Sequence, residues 1–69
     1  MIVWAVMSIE PEQTVLMGLY ATREAAIEAV RATKPDDDWE ITEPNEDGEF
    51  ELSHRRFGLF TIWPETVRE

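Results

Sequence analysis

An α+β fold, ββαβββ with an antiparallel sheet and one helix packed on one face, follows from three observations. Apolar residues alternate with polar ones, or run continuously, over five short stretches. A single stretch carries apolar residues at helical spacing instead. Between them stand clusters of Pro, Gly, Asn and Asp, the residues that turns demand. With 69 residues the chain makes one domain, 1–69. A domain of this size buries only ~60% of its unfolded surface, so its core is thin. It has no Cys to staple it, which leaves packing or oligomerisation as the sources of stability.

The first strand is expected over Ile2–Ile9. Ile2, Trp4 and Val6 take one face and Val3, Ala5, Met7 and Ile9 the other, so both faces are apolar and the strand is central. Glu10–Gln13 is a four-residue hairpin turn, and Thr14–Tyr20 the return strand, in which Gly18 allows a bulge or close approach. The helix is expected over Arg23–Lys34. Thr22 caps it, Glu24 stands in its first turn where the dipole favours an anion, and Pro35 cannot continue it. Ala26, Ile27, Val30 and Thr33 form one narrow apolar stripe, which must pack on the sheet because so short a helix is marginal alone.

After the connector Asp36–Asp38, a short strand is expected over Trp39–Glu43. The turn Pro44–Gly48 follows, with Gly48 supplying a positive φ. Glu49–Ser53 alternates, with Phe50 and Leu52 inward. His54–Arg56 reads as a turn or bulge, and Phe57–Trp63 as the last strand, ended by Pro64. A single helix cannot cover both faces of such a sheet, so Trp4, Tyr20, Phe60 and Trp63 are candidates for an uncovered patch that contacts a partner. The run Gly18-Leu19-Tyr20-Ala21-Thr22-Arg23-Glu24-Ala25-Ala26 resembles the hairpin-to-helix junction of small uncharacterised bacterial and phage domains. The resemblance spans about twenty residues. It implies this fold and no chemistry.

Catalytic signals are weak. His54 is the sole His, and its neighbour Ser53 points to the opposite face of a strand, so the two are no nucleophile–base pair. His54 reads as a solvated turn residue. Glu43-x-Asn45-x-Asp47-Gly48 faintly echoes a calcium loop, but Glu stands first where Asp belongs and His54 falls where a bidentate Glu is required. A plain hairpin turn is the better reading. We expect no enzyme, no cofactor and no metal. The N-terminus lacks a basic leader and no stretch is long enough to span a membrane; with the lack of Cys this suits a cytoplasmic protein.

Charge is the informative feature. The net charge is −9. It argues against nucleic acid or an anionic membrane as direct partner. Asp36, Asp37, Asp38, Glu40, Glu43, Glu46, Asp47, Glu49 and Glu51 account for all of it, because Asp36–Glu51 contains no Lys or Arg and the remaining six acids balance six bases. The chain is neutral with one acidic hairpin. Carboxylates at alternate strand positions recur every ~7 Å, comparable with phosphates along a nucleic-acid strand. A basic, nucleic-acid-binding protein surface is the partner this implies, in the manner of phage anti-defence inhibitors. Asp36, Asp37, Asp38, Glu40, Glu43, Asp47, Glu49, Glu51 and Trp63 are the expected contact residues. The alternative is a structural homodimer whose acids serve solubility or salt adaptation.

Overall fold

The computed structural model describes residues 1–10, 12–33, 38–55 and 58–67. Its elements are β1 (Ile2–Ile9), β2 (Thr14–Tyr20), α1 (Arg23–Arg31), β3 (Trp39–Ile41), β4 (Phe50–His54) and β5 (Leu59–Thr66). One five-stranded antiparallel sheet has the order β2-β1-β5-β4-β3. The helix lies between a hairpin at one edge and a strand at the other. The last strand returns to the middle, where β5 pairs with β1 along eight residues from Ile2↔Thr66 to Ile9↔Leu59. No helix among the described residues is long and apolar enough to cross a membrane.

The helix forms where its cap is. The Ala25 N–H donates to Thr22 Oγ1 at 3.1 Å. Ala26 and Val30 of the expected stripe are fully buried, and Ile27 is half-buried. The described helix ends at Arg31, with Ala32 as C-cap donating to the Glu28 carbonyl at 2.9 Å. That is short of the expected Lys34, which lies outside the described residues together with Pro35. Thr33 is turned out of the stripe, and its hydroxyl donates to the Val30 carbonyl at 2.7 Å.

Ladder register sorts the side chains. Val6, Phe50, Leu52, Phe60 and Ile62 meet Ala26 and Val30 in the core, with Trp4, Met17, Tyr20, Ile27 and Trp39 packed around them. Each fully buried Leu, Ile, Val or Phe contributes about 1.5–3 kcal/mol through lost apolar exposure. Trp4, Tyr20 and Phe60 therefore belong to the helix-covered face and not to an uncovered patch. Of the four candidates only Trp63 faces the other way. Direct pairing places Tyr20–Trp4–Pro64 in one row on the covered side, and Leu19–Ala5–Trp63 in the next row on the open side.

A bulge stands in β2 beside Gly18, as expected: it falls between Val6/Met7, where Gly18 and Leu16 are consecutive partners and Met17 is extra. The missing Cβ of Gly18 leaves room for Tyr20 to lie over it; a Cβ there would sit 3.1 Å from the Tyr20 hydroxyl. Three boundaries differ from expectation. First, β3 stops at Ile41, although the Thr42 N–H still donates to the Glu51 carbonyl and the Glu51 N–H to Thr42 Oγ1. Secondly, Pro64 lies inside β5 instead of ending it. Beyond Phe50, which pairs with Ile62, β4 has given out, so β5 has a neighbour on one side only and the missing N–H is tolerated. Lastly, β4 runs on through His54, which is 6% exposed and not a solvated turn residue. Its imidazole meets Trp39 edge-on at 4.9 Å between centroids.

Candidate interaction face

The face away from the helix follows residue by residue from the register. Leu16, Met7, Thr61 and Glu51 make one row across β2, β1, β5 and β4. Thr14, Ile9, Leu59, Ser53 and Glu40 make another, reaching β3. Leu19, Ala5 and Trp63 make a third. The first two rows end in a carboxylate towards the β3 edge, and the third is apolar throughout. Leu16 and Leu19 are 54% and 58% exposed, so the apolar end is open to water. The small Ala5 is buried between Leu19 and Trp63. Trp63 itself is half-buried, and its indole N–H donates to Glu65 two residues along the same face.

The acidic hairpin is held by its turn. Asn45 Oδ1 accepts from the N–H groups of Asp47 and Glu49 at 2.9 and 3.0 Å, and the Gly48 N–H donates to the Asn45 carbonyl at 3.0 Å. Gly48 takes φ 84°, the left-handed region that favours glycine. The side chain that a calcium loop would use as a ligand is thus spent on closing the turn. Among the described residues no group of three His, Asp or Glu side chains converges.

The expected contact residues divide into three sets. Glu40 and Glu51 share the open face, Glu40 in the row of Ser53 and Glu51 two residues along from Ser53 on β4. Glu49, two residues before Glu51, continues on the same side and is exposed. Glu43 and Asp47 are exposed in the connecting loop, and Asp38 is exposed just before β3, its carbonyl accepting from the Arg55 N–H at 3.0 Å. Asp36 and Asp37 lie outside the described residues. Trp63 shares the face with Glu40 and Glu51 but stands on the central strand β5.

Two features escape the sequence. Arg55, distant from the acidic run in a charge tally, lines an open depression together with Asp38, Trp39 and Glu40, so one base stands at the acidic edge. The apolar stripe Leu16–Met7 and Leu19–Ala5 is assembled only by the register, which the bulge shifts midway. On the covered side, the Arg23 guanidinium stacks 4.6 Å from the Phe50 ring centroid. No protein-family model matches this chain, and comparison with curated proteins and with solved structures finds no similar one.

Proposed function

We propose that the protein is a non-enzymatic interaction module whose acidic hairpin engages a basic, nucleic-acid-binding protein surface as a phosphate mimic and thereby inhibits it. The observation that carries this reading is the grouping of Glu40, Glu49 and Glu51 on the open face of the sheet, with Asp38, Glu43 and Asp47 exposed around them. Carboxylates at alternate strand positions stand ~7 Å apart. Fixed on a sheet, they present charge without the ordering cost of a flexible acidic tail. The apolar side chains on the same face, Trp63 and Leu59 above all, supply the surface that a salt-resistant part of the contact needs. The absence of Lys and Arg from the hairpin sequence keeps its field unopposed except at Arg55.

The test is a capture experiment with competition. Proteins retained by the immobilised chain from an extract of its source are challenged with duplex DNA or RNA and with salt. A partner that is released by nucleic acid, and that the triple variant E40Q/E49Q/E51Q fails to retain, supports the reading. Retention that nucleic acid leaves untouched refutes it.

A further inference from the structure

The two edges of the sheet are unlike. β3 is three residues long and is set among acids. β2 is seven residues long, Thr14–Tyr20, and carries no charged residue and no Pro. Edge strands are normally blunted by such residues, because an unpaired ladder is a template for another strand. Here the bulge at Met17 is the single blunting device within the strand. Val15, Leu16 and Leu19 on this strand are all exposed.

Charge selects the occupant. A second copy approaching the β3 edge would bring two acidic hairpins together. Joined at β2, the β4 strands of two copies stand seven strand spacings apart, more than about 30 Å, well past the ~10 Å over which salt screens exposed charges. A neutral strand is complementary to another copy of itself, and such isologous pairing is the usual symmetry of a homodimer.

Register can also be derived. Residues directly opposite in an antiparallel pair share a face. Leu16 and Leu19 face the open side, whereas Val15 and Tyr20 face the covered side, from their rows with Met7, Ala5, Ser8 and Trp4. Setting Leu16 opposite the partner's Leu19 sets Val15 opposite the partner's Tyr20 and Met17 opposite the partner's Gly18, so both faces match and the two bulges coincide.

We propose that β2 is a self-association edge: two copies pair β2 antiparallel in this register, forming one ten-stranded sheet with the acidic hairpins at its far ends. The pairing is independent of whether those hairpins bind a partner. Sedimentation equilibrium from micromolar to millimolar chain tests it. The expected result is a concentration-dependent rise to twice the 8.0 kDa chain mass. L16K/L19K sets like charges opposite each other and is expected to remain at the single-chain mass, with its circular dichroism unchanged. L16K/L19E sets opposite charges across the same two positions and is expected to restore the double mass. A wild type that stays at 8.0 kDa throughout overturns the proposal. So does a dimer that L16K/L19K leaves intact, or one that L16K/L19E fails to restore.

Discussion

Both faces of this sheet carry large apolar residues, and the two faces do different things. On the covered face, Val6, Phe50, Leu52, Phe60 and Ile62 close against Ala26 and Val30 and are almost wholly removed from water. On the open face, Leu16, Leu19 and Ile9 stay exposed, and the rows that begin with Leu16 and Thr14 end in carboxylates. A single helix has only enough apolar stripe for one face, so stability concentrates there. The other face keeps its apolar and acidic groups available. For the large side chains the covering helix separates core from surface, whereas Val3 and Ala5 are buried on the open face too.

The sharpest way to break this comparison is to make the same deletion on both faces. Leu52→Ala removes a fully buried side chain and should cost about 2–5 kcal/mol. Leu19→Ala removes the same atoms from the open face and, in chain dilute enough to be unassociated, should stay within about 0.5 kcal/mol. Urea unfolding measures both; equal midpoint shifts would mean that the open face is buried in solution. Ile27→Asp places a charge at the border of the helix–sheet contact and should destabilise by ~3 kcal/mol or more. Melting alongside the parent would remove Ile27 from the core.

Two smaller changes sharpen the account of how the elements are held. Gly48→Ala forces an L residue to positive φ and brings its Cβ to 3.1 Å from Pro64 Cγ. It should cost about 1–2 kcal/mol and loosen the hairpin that carries the acids, read as faster amide exchange at Asp47 and Glu49. Thr22→Ala removes the cap on the Ala25 N–H and should cost ~1 kcal/mol, seen as a lower melting temperature with the sheet signals intact.

The reach of the sequence is uneven, for physical reasons. The apolar runs of β1 and β2, the alternation in β4 and the Thr22 cap are local signals, and the elements they specify are present. Strand order is not local. Nothing in Phe57–Trp63 states that β5 comes to lie between β1 and β4, and that placement explains how Pro64 fits within a strand. His54 looked like a turn residue because Arg55 and Arg56 follow it, yet the ladder carries it against Trp39. The acidic hairpin was plain in composition. Its division into Glu40 and Glu51 on the face and Glu43 and Asp47 in the loop came only with register. The base beside it, Arg55, falls outside the acidic run in the chain and is brought to Glu40 by the β3–β4 register.

The carboxylates of the open face are the proposed recognition surface. The most direct measurement is calorimetric titration of the captured partner with the parent chain and with E40Q/E49Q/E51Q, each at low and high salt. Gln keeps the shape and removes three charges, so folding should be unchanged or slightly improved by relief of self-repulsion. The variant should lose roughly 2–5 kcal/mol of binding, and the salt dependence of the parent should be flattened in it. Equal affinities and equal salt slopes for the two proteins would contradict it.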